Sequence, residues 1–409
     1  MRKTFLIFLA LLLTGLIISF CSENPASSIE PNDNDNTEED NSPPIIWTKT
    51  YGGNKSELAY DMKIDNDEGF IMVGATYAFD NYGDIWLVKT DSSGSLLWSN
   101  NISVHDFDGG ASIQLTSDGG YIIGGFTESL GYMEGWGNYL ETNFMLVKTD
   151  GYGNLKWQKT FAEDRGIAFS AQETFDHGYI IAGSKKVGSD IGYYIVKTDQ
   201  SGELQWDNYY GGDQSDLASG IIQTSDSGFA ITGYTKSYGA GSSDIWLVKT
   251  DKSGTKLWDI TFGGSNVDDS YRIIEANDNG LVVCGTTLSF GPGKEDFMLI
   301  KTDKNGNHEW SKTYGTKEKN ETSYNLIQTN DNGFLITGYQ YEETREFGNG
   351  WLVKTDGSGN RIWSKAFKDS LDNESRAVQQ TSNGDYIMCG FGYISEDKDY
   401  DFKLTKIKN

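Results

Sequence analysis

The sequence predicts an all-β protein built as one closed ring, a single seven-bladed β-propeller of four-stranded antiparallel blades. Three observations carry this prediction. A unit of roughly 50 residues repeats from residue 45 to residue 409, each unit holds four short apolar runs separated by turn residues, and the two ends of the repeat are complementary fragments of one unit. Periods of this length with four strands each mark propeller blades.

The repeat is marked by Trp47, Trp98, Trp157, Trp206, Trp258, Trp310 and Trp363. Ahead of six of them stand Lys-Thr-Asp, two residues, a Gly and three more residues, as in Lys249-Thr250-Asp251 through Gly254 to Trp258; Trp47 lacks this prelude. Midway through each unit a turn precedes an apolar run, as in Asp331-Asn332-Gly333 before Phe334-Leu335-Ile336. Asp or Asn beside Gly between apolar runs is a hairpin signal. In the fourth unit the strands are expected at 217–223, 229–234, 244–249 and 256–262. The third, Ile245-Trp246-Leu247-Val248, is apolar on consecutive residues, so both sheet faces must be covered, as when blades stack. Helical periodicity is absent. The folded region opens with a lone fourth strand at 45–51 and closes after a third strand at 401–407, so the N-terminal strand is expected to pair with the C-terminal three and remove the open sheet edge.

Composition excludes some functions. Against 34 basic residues stand 59 acidic ones, a formal charge of -25 that repels phosphate backbones, so nucleic acid is not an expected partner. Only three His and three Cys are present, and none has metal-ligand spacing. Neither a metal site nor a cofactor is expected. His177 and His308 are expected in tight turns and His105 in a longer loop, with no triad. Cys284 and Cys389 occupy the same second-strand position of units five and seven, where other units carry small residues; on non-adjacent blades they are too far apart for a disulfide and read as buried small hydrophobes.

The N-terminus carries an address. Met1, Arg2 and Lys3 precede an apolar run from Phe5 to Phe20, the length of a secretory signal core. Ile18-Ser19-Phe20-Cys21 resembles the lipobox of bacterial lipoproteins, although Phe20 is larger than the residue usual before that Cys. The resemblance implies a signal peptide over 1–20 and lipid attachment at Cys21; an ordinary cleaved signal and an uncleaved anchor are the alternatives, and all three export the domain. Residues 22–44 hold seven acidic side chains, no Lys or Arg and no aromatic. With nothing to bury, 21–44 is expected to be a disordered acidic tether. The propeller then occupies 45–409.

Units such as Trp310-Ser311-Lys312-Thr313-Tyr314-Gly315 and Asp244-Ile245-Trp246-Leu247-Val248-Lys249-Thr250-Asp251 resemble the repeats of lipid-anchored or secreted seven-bladed propellers of Bacteroidota-type bacteria, mostly of unassigned function. The resemblance spans residues 45–409 and implies the fold and a cell-envelope location, anchored in the outer membrane; it brings no catalytic motif. More distantly, Asp-x-x-Gly-x-x-x-Trp is similar to the tryptophan-docking motif of quinoprotein propellers, with a turn one residue shorter and no adjacent Cys pair.

Residues that recur in every unit read as structure. The Trp residues are expected to pack between blades, and the Lys-Thr-Asp triplets to be strand ends and turns. The acids at or near one offset of the four-to-one loops, Glu57, Asp108, Asp216, Asp268, Glu321 and Glu374, read as loop caps. The one-to-two and three-to-four connections are tight and uniform, whereas the other two are long and varied and share one face. That variable face is the expected site, because binding residues concentrate on loops held by a rigid scaffold. It offers Tyr77, Phe79, Tyr82, Tyr238, Phe290, Tyr341 and Phe347. The longest loop, in unit two, holds Tyr132, Glu134, Trp136, Tyr139 and Glu141, and unit three breaks the repeat at Glu163, Asp164 and Arg165. Tyr132, Trp136, Tyr139, Glu141 and Arg165 are the candidate ligand-binding residues; rings beside carboxylates and amides suit sugar or peptide recognition. No catalytic residue is assigned. The preferred reading is an exported, lipid-anchored, non-catalytic binding or scaffold protein with the membrane, and a glycan or a cell-surface protein, as partners. The alternatives are a carbohydrate-active enzyme on a propeller and an envelope assembly scaffold.

Overall fold

In a computed structural model, residues 42–77, 83–104, 108–128, 142–161, 166–342, 347–368, 373–393 and 399–409 are described. Cys21, nearly all of the tether, and the candidate residues Tyr132, Trp136, Tyr139, Glu141 and Arg165 lie outside them. The described residues form 28 strands in seven antiparallel four-stranded sheets and no helix. Blade one comprises β2 (Glu57–Ile64), β3 (Phe70–Thr76), β4 (Asp84–Thr90) and β5 (Leu96–Ile102). The inner strands of the following blades are β6 (Asp108–Leu115), β10 (Gly166–Glu173), β14 (Asp216–Gln223), β18 (Asp268–Glu275), β22 (Asn320–Gln328) and β26 (Asn373–Gln380). Each inner strand packs on the next, and β26 packs on β2, closing a ring around a central channel.

The seventh blade is assembled from both ends of the chain. β1 (Ile45–Tyr51) pairs antiparallel with β28 (Tyr400–Ile407), beside β27 (Tyr386–Tyr393) and β26, as expected from the fragments. In blade four the strands run Asp216–Gln223, Phe229–Thr235, Asp244–Thr250 and Lys256–Phe262, within a residue of the sequence reading. The third strand of that blade is buried along its whole length.

The recurring residues join one blade to the next. Each marker Trp lies half-buried on an outer strand, and six of the seven, all but Trp363, lie against the three-to-four turn of the following blade, where a left-handed Gly gives the ring room. A Cβ on Gly306 (φ 84°) would stand 2.8 Å from the Trp258 ring, and Gly94, Gly153, Gly202, Gly254 and Gly359 face their own Trp in the same way. Six of the rings also pack on the first residue of the next blade's second strand, for example Trp206 on Phe229 with centroids 5.8 Å apart. The Lys of each Lys-Thr-Asp is buried and folds back to the one-to-two turn of its own blade. Lys148 Nζ reaches Asp118 at 2.8 Å and the carbonyl of Thr149 at 2.8 Å, while Asp118 also accepts the Thr116 hydroxyl and the Gly120 N–H. Lys89, Lys197, Lys249, Lys301 and Lys354 repeat this pairing with Asp67, Asp176, Asp226, Asp278 and Asp331.

One sequence expectation needs correction. His308 is the first residue of a strand, His308–Tyr314, and not a turn residue; its ring packs on Phe262 and its Nε2 lies 2.7 Å from the Ser311 hydroxyl. Trp258 packs between blades as expected and is half-buried, so its truncation costs less than that of a core Trp. Cys284 and Cys389 are free and buried, as expected.

Trp258→Ala should cost about 2 kcal/mol, below the range for a fully buried Trp. Gly306→Ala should cost a similar amount from the ring clash plus about 1 kcal/mol for the positive φ. In the double variant the clash disappears, so chemical denaturation should give a coupling of at least about 1 kcal/mol; strict additivity would show that the ring does not dock on this turn.

Candidate functional site

The site is built by a defect in strand pairing. In every blade the ladder between first and second strands skips one residue of the first: Tyr60, Ala111, Phe169, Ser219, Tyr271, Tyr324 and Arg376. A β-bulge re-aims the side chain it carries. The opposing residue of the second strand is Gly in all seven blades, and it has to be: a Cβ on Gly233 would lie 1.9 Å from the carbonyl oxygen of Leu217. The seven bulge residues therefore form a ring at the channel, nearer the variable-loop face than the tight-turn face.

On one arc they meet. The Arg376 guanidinium stacks on the Tyr324 ring at 3.8 Å, with Phe391 at 5.5 Å and Tyr60 at 5.9 Å, so blades six, seven and one share a single cationic group. Tyr271 meets Tyr324 edge to face at 5.6 Å and extends the group to blade five. Arg376 ion-pairs with Glu374, and both side chains are about nine-tenths buried, at 11% and 10% exposure. Burial works against the guanidinium charge, but Glu374 and the surrounding tyrosines outweigh it and raise the Arg376 pKa. The Nε of Arg376 has no hydrogen-bond partner among the described residues. Beside this cluster Tyr60, Tyr77 and Phe347 pack on Leu58, Phe391, Tyr393 and Tyr400, with Tyr393 stacked on Tyr400 at 3.9 Å and Phe347 edge-on to Tyr393. Tyr341, stacked on Tyr339, donates to Glu295 at 3.3 Å.

Of the loop aromatics expected from sequence, the structure thus brings Tyr77, Phe347 and Tyr341 toward the mouth. Tyr238 packs on Trp246 and donates to the Gly211 carbonyl, and Phe290 joins the apolar layer between blades four and five, so both stiffen loops. Phe79 and Tyr82 lie outside the described residues, as do Glu134, Glu163 and Asp164. Sequence reasoning missed Tyr60, Tyr271, Tyr324 and Arg376 because a bulge is a property of two paired strands. The signal that could have found them is the second-strand Gly of every unit, which marks where the first strand bends inward.

The four-to-one acids are loop caps, as expected, in five blades. The carboxylates of Asp216 and Asp268 accept the N–H groups of Gly212 and Gly264 at 2.9 and 2.8 Å, Glu57 and Asp108 accept those of Gly53 and Val104, and Glu321 accepts from Gln340 and Thr316. Glu374 is the correction. Asn373 takes the cap position of blade seven, its side-chain carbonyl accepting the Gly350 N–H and its amide donating to Phe367, which frees Glu374 for Arg376. A Ser117–Glu173–His177 group lies between the tight turns of blades two and three, but it is no triad. The hydroxyl donates to Glu173 at 2.6 Å and meets the same His177 nitrogen that faces the carboxylate. Ser225, Glu275 and Asn279 repeat the arrangement without a His, so it is an inter-blade latch. No group of three or more metal-ligating side chains occurs among the described residues.

No protein-family model matches the chain, and no curated protein matches it. Solved structures do. The Neurospora crassa Pan2 WD40 domain aligns with a TM-score of 0.53 at 10% identity over 90% of this chain and 96% of its own. Polysaccharide lyase Uly1 aligns at 0.54 and 9% identity over 88% and 91%, and YCF48 bound to D1 peptide at 0.51 and 10% identity over 91% and 99%. The shared property is the propeller fold.

Burial pushes the carboxyls of Glu57, Asp296, Glu321 and Asp269 up to about 7 and that of Asp244 to about 6; at Glu57 the neighbouring Asp401 adds to this. A carboxyl with a higher pKa folded than unfolded binds its proton more tightly in the folded chain. Its contribution is full below the unfolded pKa and is lost as pH rises through the folded value. Stability should therefore fall between pH 5 and 8. Glu57→Gln should flatten that slope and raise the melting temperature at pH 8 by about 2–4 °C, with little change at pH 5; a variant as pH-sensitive as the parent would remove Glu57 from this account.

Proposed function

We propose that the chain is an exported, lipid-tethered, non-catalytic binding protein that holds a segment of a protein partner at the channel mouth of its variable-loop face. The observation that carries this reading is the Arg376–aromatic cluster on the face opposite the point where the tether joins the ring. β1 begins at the tight-turn end of blade seven, where Lys408 N–H donates to the Pro44 carbonyl and Lys365 Nζ to the Ser42 hydroxyl. A lipid at Cys21 would then leave the variable face pointing away from the membrane, in the outer leaflet of the cell envelope or on its periplasmic side.

Two features favour a peptide over a sugar. Sugars stack on open ring faces, whereas the mouth rings are engaged with one another, edge to face as Phe391 and Tyr400 at 90° or stacked as Tyr393 on Tyr400. What the arc offers instead is hydrogen-bonding phenols and a stacked guanidinium, groups that match backbone amides and side-chain carboxylates. YCF48, a propeller of similar size, is seen with a peptide. The carbohydrate-active alternative needs two acids facing a pocket, and the close acid pairs among the described residues, such as Asp244 with Asp268 and Asp296 with Glu321, flank the loop glycines Gly263 and Gly315.

Affinity capture from envelope extracts, with a glycan array in parallel, tests the reading. Tyr60→Ala and Tyr77→Ala should each weaken capture of the protein partner at least tenfold while leaving the melting temperature within a few degrees. Tyr152→Ala, on the tight-turn face and 75% exposed, should change nothing. Binding to the array with no protein captured, or capture insensitive to both mouth variants, would overturn the assignment.

A further inference from the structure

One register position below the mouth, the inner strands are stitched together by side-chain acceptors. Asp61 Oδ2 accepts the Ile113 N–H of the next blade at 3.0 Å, Ser112 accepts Ala171 N–H at 3.0 Å, and Ser170 accepts Ile221 N–H at 3.4 Å. In blade five the same register position is Arg272, opposite Cys284 just past the bulge. A guanidinium has donors only, so it cannot join this seam. Its guanidinium makes no hydrogen bond or ion pair among the described residues.

Arg272 instead acts across the channel. Its charge is felt at Asp61 and Lys63, which belong to blade one; blades one and five are not neighbours, so the path between them crosses the lumen. Lys63 is 8% exposed and Asp61 3%. Lys63 Nζ lies 2.9 and 3.0 Å from the two oxygens of Asp61 and 3.0 Å from the Met62 carbonyl. The level thus holds two cations and one carboxylate. Burial lowers the Lys63 pKa, with Arg272 adding repulsion that Asp61 opposes; at Asp61 burial is outweighed by Lys63, Arg272 and the Ile113 N–H, which hold its carboxyl low. Arg272 is partly buried and Lys63 and Asp61 are buried, so the group carries one surplus positive charge, which an anion would complete. A surplus of a single charge, with a planar fork supplying part of it, matches a monovalent planar anion.

We propose that the central channel binds a single carboxylate between Arg272 and the Lys63–Asp61 pair. The site is distinct from the partner-holding mouth above it and does not depend on that reading. The carboxylate is either a free small acid or one carried on a chain end that enters through the mouth.

Titration calorimetry of the full chain with sodium acetate, at ionic strength held by a bulky sulfonate salt, tests the proposal, with thermal unfolding followed in parallel. One acetate should bind per chain and raise the melting temperature to a plateau. In Arg272→Gln the heat should vanish and the melting temperature, without acetate, should equal or exceed that of the parent, because an unpaired charge is gone. Lys256→Gln, on the outer rim, should bind acetate like the parent. If Arg272→Gln does not fold, Arg272→Lys serves, with affinity at least tenfold lower expected from the lost fork. A short peptide with a free C-terminus that displaces acetate, when its amide does not, would identify a chain-borne source; acetate binding with no effect of the peptide would identify a free acid. Absence of saturable acetate heat, equal binding by Arg272→Gln, or tighter binding of chloride or phosphate than of acetate would each overturn the assignment.

Discussion

Seven sheets whose central strands are apolar on both faces can be covered only by one another, and that single constraint sets the rest of the molecule. A linear stack would leave two faces in water; a ring leaves none, but only if the last blade finds a fourth strand. β1 supplies it from the other end of the chain. The local devices serve the same end. The Trp-on-Gly contact fixes how one blade sits against the next, the buried Lys–Asp pairs tie together the two tight turns of blades one to six, and the latch residues join neighbouring turns on the tight-turn face.

Much of this was legible because repetition amplifies it. Gly254 and Trp258 mean little alone, but the same spacing in six units marks a recurring structural element, in which each Gly receives the Trp of the preceding unit. The lone strand at the start and the missing one at the end were equally plain. The mouth was not, because the residue types at the bulge vary from Ala111 to Arg376 and nothing in one strand's sequence shows that its partner has lost a step of register. The cap of blade seven failed for a related reason: Asn373 and Glu374 are both plausible caps, and which one faces the loop depends on the strand's phase. The loop residues singled out by the break in the repeat fall outside the described residues, so the reading of the variable face rests on the bulge residues and on the rings packed beside them.

A formal charge of -25 suggests an acidic surface throughout, yet the acids have different roles. The turn aspartates are paired with buried lysines, and at Asp331 the Thr329 hydroxyl, Lys354 and the Gly333 N–H hold the carboxyl at about 2 although partial burial works the other way. Several loop acids are pushed by burial toward neutrality near pH 7. The inner strands also gather Lys63, Arg272 and Arg376, the last two at positions where other blades carry small neutral residues, as Gly220, Ala377 and Ala111 show. Lys63 and Arg376 are paired with Asp61 and Glu374, which leaves Arg272 as the cation of the three without an ion pair among the described residues.

The pattern of divergence among the seven copies separates scaffold from site. Positions that every blade must share, the marker Trp and the second-strand Gly, cannot specialise without opening the ring. The bulge position can, and it has done so unevenly: Tyr271, Tyr324, Arg376 and Tyr60 fill the arc of blades five, six, seven and one, while blades two and four carry Ala111 and Ser219. Blade three, between these two, carries Phe169. A ligand at the mouth would therefore meet a continuous run of large side chains on one arc and, opposite it, two small residues on either side of a single ring. Such asymmetry in a ring of equal units is what selective recognition requires, since a sevenfold-symmetric mouth would offer the same contact in seven orientations and fix none of them.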